Sequence, residues 1–161
     1  MQRIGLGNDT HRLIKGRPLI IGGIHIPFKK GSLAHSDGDV LLHALIDALL
    51  GALALGDIGE LFPNTDSNLK DISSVNLLNK VLSLPALKNS VINNVDCIIE
   101  LQEPKLSPYK EAIKKNLAAL LNLPLTAVSV KAKTGEKLDA VGKGKAIKAL
   151  VAVQVVLLYE K

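Results

Sequence analysis

The chain has 161 residues, of which 47% are hydrophobic and 22% are charged, and this composition excludes an intrinsically disordered protein. The length predicts a single domain over residues 1–161 with a sizeable hydrophobic core. The one cysteine, Cys97, excludes an internal disulfide framework and a cysteine-rich zinc ribbon. With only two Phe, two Tyr and no Trp, we do not expect an aromatic platform for stacking bases.

The net charge is +5, which suits an anionic partner such as a phosphorylated substrate, an acidic membrane or a nucleic acid. The lysines are spread along the chain, so a solvated lysine-rich surface explains this charge more simply than a nucleic-acid footprint. No apolar run approaches the ~20 residues of a membrane helix, and residues 1–5 lack the apolar block of a signal peptide. We therefore expect a cytoplasmic protein that binds neither membranes nor nucleic acid.

In the first half of the chain, the hydrophobic pattern begins with a strand over residues 2–8. Two short strands over 19–21 and 24–27 follow, separated by a Gly-Gly turn. The strongest helix covers 37–55, where leucines recur at three- and four-residue spacing. Ser36 is its predicted cap, and Asp39 completes a shortened capping box.

The second half continues with alternating helices and strands. The predicted order is a helix over 72–83, a strand over 91–101, a helix from Ser107-Pro108 to about 121, and a strand over 128–132. The tail over 145–159 is rich in valine, which favours a strand, but its length and alanine content lead us to predict a helix. The whole pattern predicts an α+β fold, a four-stranded mixed sheet with helices packed on one face.

Three side chains of this pattern are candidate metal ligands. Asp9 and His11 stand two residues apart near the end of the first strand and therefore face the same side. With His43, from the leucine-rich helix, they supply three ligands for Zn²⁺ or another divalent transition metal and leave a fourth position open, as in catalytic sites. We expect Asp39 or Asp47 to hold the second nitrogen of His43. The alternative is an ordinary Asp–His ion pair beside a satisfied core histidine.

Other polar motifs allow a functional and a structural interpretation. His35-Ser36 precede a helix N-terminus, which attracts anions, but Ser36 can be a simple cap. The loop over 56–70 is too irregular for a mere connection and is typical of a binding lid. Lys133-Thr134-Gly135-Glu136 ends a strand and offers a carboxylate for Mg²⁺, or is a polar turn. Lys143 suits a phosphate or a surface position equally.

Four sequence blocks carry a family resemblance: Gly7 to Leu13, Gly22 to Pro27, Ala34 to Leu45 with its His-Ser-Asp-Gly-Asp core, and Leu55 to Asp66. Through them the chain resembles the 2-C-methyl-D-erythritol 2,4-cyclodiphosphate synthases of the non-mevalonate isoprenoid pathway over nearly its whole length. The resemblance implies a homotrimeric phosphorus–oxygen lyase with active sites between subunits. Its substrate would be 4-diphosphocytidyl-2-C-methyl-D-erythritol 2-phosphate, and its products the cyclic diphosphate and CMP.

The resemblance also implies roles for individual residues. Asp9, His11 and His43 match the family's zinc ligands, and Glu136 matches a ligand of Mg²⁺ or Mn²⁺ at the substrate diphosphate. His35 and Thr134 match the pair that stabilises the transition state. The substrate-binding positions are Asp9, His11, His35, Ser36, Asp57, Ile58, Gly59, Phe62, Pro63, Asn64, Thr65 and Asp66 around the methylerythritol phosphate, Leu101, Gln102, Glu103, Pro104, Lys105, Leu106, Ser107, Lys133, Thr134, Gly135 and Glu136 around the cytidine, and Lys143.

Several positions depart from the family pattern. Asn64 stands where Asp is usual, which removes a charge beside the site. Asn8 and Ala140 stand where aromatic residues are common, and Lys143 and Lys145 where Arg and Glu are common. In relatives these four positions lie near a trimer-axis cavity that can hold an isoprenoid diphosphate, so the expectation of that ligand is weaker here.

Two alternatives from other classes remain open. A metal-dependent phosphohydrolase on a similar sheet would release a linear phosphate. A basic nucleic-acid-binding module would bind generic DNA or RNA with a steep salt dependence, but it leaves Asp9, His11 and His43 without a role.

Cys97 is expected to pack in a strand, because phosphoryl transfer of this kind needs no protein nucleophile.

Overall fold

The computed structural model describes residues 1–63, 65–66, 69 and 71–158, so Asn64 and Tyr159 lie outside the described residues. The strands are β1 (Gln2–Lys15), β2 (Leu19–Ile21), β3 (Ile24–Ile26), β4 (Lys30–Leu33), β5 (Ser90–Glu100), β6 (Val128–Lys133) and β7 (Ala146–Leu157). The α-helices are α1 (Val40–Ala52), α2 (Ile58–Leu61), α3 (Ser74–Leu82), α4 (Pro85–Lys88) and α5 (Lys110–Leu121). None of these helices has the length and apolarity that a membrane span requires.

Most of the described strands form one mixed sheet, in the order β4-β1-β7-β5-β6. Strands β5 and β6 are parallel, and the other neighbours are antiparallel. Strands β2 and β3 form the separate hairpin that the sequence predicted. The α+β class is confirmed, but this sheet has five strands where four were predicted.

The predicted helix over 145–159 is wrong: Ala146–Leu157 form β7, the central strand of the sheet. Strand β7 pairs with β1 on one side and with β5 on the other. Its buried Val151, Val153 and Val155 alternate with residues on the opposite face. Branched side chains pack well on a pleated surface, so this period-two burial outweighs the helix propensity of the alanines.

Other boundaries differ from prediction at element ends. Strand β1 continues past residue 8 to Lys15 and so contains both Asp9 and His11. Helix α1 was predicted over 37–55 but begins at Val40, because Asp39, rather than Ser36, is its cap, and it ends at Ala52. Helix α5 begins at Lys110 instead of Pro108. The predicted elements at 72–83, 91–101 and 128–132 are present within one or two residues of their predicted ends.

Helix α1 lies directly on β1 because glycines stand at their contact. A Cβ on Gly7 would lie 2.0 Å from the carbonyl oxygen of Ala44, and one on Gly5 would lie even closer to the helix backbone. The next two positions on the same face of β1 are Asp9 and His11. A larger residue at either glycine would displace the helix, so these glycines bring the histidine of α1 within reach of the two β1 side chains.

Asp39 connects the start of α1 to the β2–β3 hairpin. Its fully buried carboxylate accepts N–H bonds from Gly22 and Gly23 as well as from Leu41 and Leu42 in the first turn of α1. Complete burial raises the pKa of Asp39 to about 6, although these N–H groups favour the charged form.

We expect wild type to become less stable, relative to Asp39→Asn, as the pH rises from about 4 to about 6. The folded-state pKa of Asp39 lies above its ordinary value of 3.8, so the folded protein binds more protons than the unfolded chain in this window. Asparagine does not titrate. The difference in unfolding free energy should shift by ~1–3 kcal/mol, measured by urea denaturation at each pH. If the difference in unfolding free energy between wild type and Asp39→Asn does not change with pH, the pKa of Asp39 is not raised in the folded protein.

Candidate metal centre

The three predicted ligands meet at one point between β1 and α1. His11 Nε2 lies 2.9 Å from Asp9 Oδ2 and 3.1 Å from His43 Nδ1, and that nitrogen lies 3.1 Å from the same Asp9 oxygen. A tetrahedral ion with bonds of roughly 2.0–2.1 Å holds its ligand atoms about 3.3 Å apart, close to these spacings. Among the described residues, Asp9, His11 and His43 form the one group of His, Cys, Asp or Glu side chains whose ligand atoms lie close enough together to hold a metal ion.

The electrostatics of Asp9 and His43 are coupled at this point. Burial alone would raise the pKa of Asp9, but hydrogen bonds and charge from His11 and His43 hold it well below its usual range. Burial lowers the pKa of His43, but Asp9 outweighs this effect and raises it above the usual value. The carboxylate of Asp9 therefore stays charged beside His43, and a divalent cation that binds there must displace the proton that His43 would otherwise hold.

The second nitrogen of His43 bonds to neither Asp39 nor Asp47, so that expectation is wrong. His43 Nε2 lies 3.1 Å from Ser36 Oγ and 2.9 Å from Ser74 Oγ. The carboxylate of Asp39 is used at the helix N-terminus, and Asp47 accepts the first backbone N–H of α2. Helical spacing predicts partners on the same helix only, whereas Ser74 belongs to α3, 31 residues further along the chain.

The metal centre opens into a cavity of about 350 Å³. Its lining combines polar and apolar side chains, which suits a small phosphorylated molecule with an aliphatic body. The polar lining residues are Asp9, His11, His35, Ser36 and His43, and the apolar ones include Leu33, Ile58, Phe62, Leu69, Ile72 and Leu77. His35 is exposed, whereas the adjoining Ser36 is buried.

The predicted lid begins beside this cavity. Asp57 caps the short helix α2 by accepting the N–H of Glu60, and Asp47 Oδ1 accepts the N–H of Ile58 at 2.8 Å. Through Asp47, one turn beyond His43, helix α1 therefore fixes the start of this segment. Further along the segment, Phe62 lines the cavity; Pro63 and Thr65 are exposed, and Asp66 is half-buried.

The two predicted cytidine segments lie side by side where the parallel strands β5 and β6 end. The N–H of Leu101 donates to the carbonyl of Lys133 at 2.9 Å, and Thr134 Oγ1 donates to Glu136 Oε1 at 2.5 Å. Thr134 and Glu136 are exposed and do not line the cavity at the metal centre of their own chain. The structure therefore does not bring Thr134 together with His35 within one chain.

Other predicted cytidine and phosphate contacts are divided between the core and a second cavity. The side chains of Leu101 and Leu106 are buried, so these positions offer backbone groups to a ligand. Gln102, Glu103 and Lys143 line a separate cavity of about 400 Å³, together with Lys15, Lys29, Lys30 and Lys137. This group of lysines comes from four separated segments, so sequence spacing did not indicate it.

Comparison with known proteins gives a consistent result. Residues 2–156 match the sequence model of the YgbB family. The curated 2-C-methyl-D-erythritol 2,4-cyclodiphosphate synthase of Treponema denticola is 51% identical over 150 residues, which cover 93% of each chain. A solved 2C-methyl-D-erythritol-2,4-cyclodiphosphate synthase, in a CDP-bound form, has a TM-score of 0.87 at 40% identity, covering 95% of this chain and 99% of that one.

A larger solved protein also contains this fold. The bifunctional IspDF from Campylobacter jejuni has a TM-score of 0.92 at 39% identity and covers 98% of this chain. The present chain spans only 43% of that protein.

Proposed function

This chain belongs to the YgbB family of 2-C-methyl-D-erythritol 2,4-cyclodiphosphate synthases, and from that premise we propose a reaction and a site for it. The enzyme converts 4-diphosphocytidyl-2-C-methyl-D-erythritol 2-phosphate to 2-C-methyl-D-erythritol 2,4-cyclodiphosphate and CMP. The observation that carries the site is the convergence of Asp9, His11 and His43 at the wall of a cavity large enough for the methylerythritol phosphate.

The reaction joins two phosphates of one molecule. An oxygen of the 2-phosphate attacks the β-phosphorus, the bond from that phosphorus to the oxygen bridging it to the α-phosphate breaks, and CMP leaves with that oxygen. Because both phosphates are anions, the enzyme must hold them in line and offset their repulsion. A transition metal held by Asp9, His11 and His43 would supply a Lewis acid for the β-phosphate.

The chain's own residues bind and orient the substrate. Ile58, Phe62 and Leu77, which line the cavity, would pack against the carbon skeleton, and His35 and Ser36 would face its phosphates. No protein nucleophile takes part: Cys97 is buried, and burial raises the pKa of its thiol to about 12.

Glu136 is the proposed ligand of a second cation. Its exposed carboxylate is a hard oxygen ligand, and Mg²⁺ or Mn²⁺ is commonly bound by one or two carboxylates together with substrate phosphates. Two imidazoles and one carboxylate suit Zn²⁺ better, so the two cations are sorted by their ligands.

The proposed setting is cytoplasmic, with a small nucleotide-linked substrate and neither membrane nor nucleic-acid partners.

The complete site is proposed to lie between subunits of a homotrimer, where the cytidine segments of one subunit face the metal centre of the next. One supporting observation is that Thr134 and Glu136 do not line the cavity of their own chain. The other is the sheet face opposite α1, which exposes apolar side chains: Ile4 is 73% exposed, Leu6 67%, Val91 48% and Leu150 42%. Several large apolar side chains exposed on one face of a sheet are typical of an interface.

Product analysis tests the reaction. The protein is incubated with the diphosphocytidyl substrate, Zn²⁺ and Mg²⁺, and the products are identified by phosphorus NMR and chromatography. Cyclic diphosphate and CMP in equal amounts support the proposal. A linear phosphate would instead identify a metal-dependent phosphohydrolase, and absence of turnover with salt-sensitive binding to generic DNA would favour a nucleic-acid-binding module.

We expect complementation between two inactive variants if the site is shared. Asp9→Asn loses a metal ligand, and Glu136→Gln loses the carboxylate that another subunit supplies. After subunit exchange, some interfaces contain both an intact Asp9 and an intact Glu136, so part of the activity should return. Each variant incubated alone is the control, and exchange is followed with a mass-tagged subunit. Proven exchange without any recovery would contradict a site shared between subunits.

A further inference from the structure

A chain of hydrogen bonds leads away from the metal centre through His43 to a carboxylate that the family resemblance did not assign. His43 Nε2 lies 2.9 Å from Ser74 Oγ, which is itself hydrogen-bonded to Asp37 Oδ1. Ser74 is completely buried. The other oxygen of Asp37 accepts the backbone N–H of Ser74 at 2.9 Å, so the carboxylate is fixed at the start of α3.

The direction of these bonds follows from the chemistry of the groups. The carboxylate of Asp37 can only accept, so the Ser74 hydroxyl donates its proton to Asp37. A lone pair of Ser74 Oγ then faces His43, and the proton between them belongs to His43 Nε2. The neutral ring therefore carries its lone pair on Nδ1, the atom that lies 3.1 Å from Asp9 Oδ2 and from His11 Nε2.

We infer that Ser74 and Asp37 are positioning residues that fix the tautomer and orientation of His43 for metal binding, an inference that rests on the proposed function. Ser36 Oγ, 3.1 Å from the same nitrogen, is a second acceptor that also receives the N–H of Gly38. Ser74 differs from it because its hydroxyl is oriented by a carboxylate. Such indirect carboxylate contacts raise the basicity of a ligating imidazole.

The Ser74→Ala variant tests this inference without turnover. It removes the hydroxyl but keeps the backbone N–H that donates to Asp37. The matched control is Ser73→Ala: Ser73 caps the same helix by accepting the N–H of Val75, a bond that does not involve His43. Zn²⁺ affinity is measured by competition with a chromophoric chelator, and the visible spectrum of the Co²⁺-loaded protein reports the ligand field.

We expect Ser74→Ala to bind Zn²⁺ roughly 10–100-fold more weakly than wild type and to shift the Co²⁺ spectrum, with Ser73→Ala like wild type in both. Asp37→Asn, whose neutral oxygen is a weaker acceptor for the serine hydroxyl, should lose affinity in the same direction, and it carries the test if Ser74→Ala does not fold. If Ser74→Ala and Asp37→Asn bind Zn²⁺ as tightly as Ser73→Ala does, this inference is wrong but the proposed metal centre is not. A wild-type protein that binds neither Zn²⁺ nor Co²⁺ would overturn both the inference and the proposed metal centre.

Discussion

The His43→Ala variant is expected to lose its bound zinc and to release CMP orders of magnitude more slowly than wild type. Of the three converging side chains that could hold a metal ion, His43 is the one contributed by α1, so its removal would leave two candidate ligands on β1. A catalytic zinc site needs three protein ligands to hold the ion in an open geometry. Bound zinc is measured by atomic absorption and turnover by CMP release.

The matched control is His25→Ala, which removes an exposed histidine on strand β3. It should keep a full equivalent of zinc and normal turnover. Circular dichroism must show that both variants are folded. A folded His43→Ala protein that retains a full equivalent of zinc would show that this histidine is not a ligand.

The Glu136→Gln variant is expected to keep its zinc and most of its affinity for CMP, while turnover falls by orders of magnitude. Glutamine preserves the shape of the side chain but removes the charge that would hold Mg²⁺ at the substrate diphosphate. Stabilisation of charge on the leaving phosphate is then lost in the transition state. Turnover is measured across a Mg²⁺ titration, and excess Mg²⁺ should restore part of it.

Glu111→Gln serves as the control, because it removes an exposed carboxylate from the first turn of α5. It should behave as wild type at every Mg²⁺ concentration. Near-normal turnover of Glu136→Gln at limiting Mg²⁺ would mean that other groups hold the second cation and that Glu136 belongs to a polar turn.

Part of the candidate metal centre was predictable from the sequence because two of its three side chains are related by strand periodicity. The period of a strand places Asp9 and His11 on one face, and a helix of recurring leucines identifies the buried surroundings of His43. The sequence pattern alone does not show that α1 and β1 meet at these residues. That contact depends on Gly5 and Gly7, which allow the backbone of α1 to approach β1.

Sequence analysis missed or wrongly predicted features that depend on tertiary packing. The tail was interpreted as a helix because valine and alanine give opposing local preferences, and only pairing with β1 and β5 decides between them. Ser74 was missed because no spacing rule connects it to His43. Helical spacing led us to expect a hydrogen bond between Asp39 and His43. Instead, the carboxylate of Asp39 accepts four backbone N–H bonds at the start of the helix.

The fate of solvent oxygen during turnover distinguishes cyclisation from hydrolysis. The reaction is run in water enriched in oxygen-18, and both products are analysed by mass spectrometry. If the substrate's own 2-phosphate is the nucleophile, neither CMP nor the cyclic diphosphate acquires the label. One labelled oxygen in a linear phosphate product would show that water attacks instead, and the proposed cyclisation would be wrong.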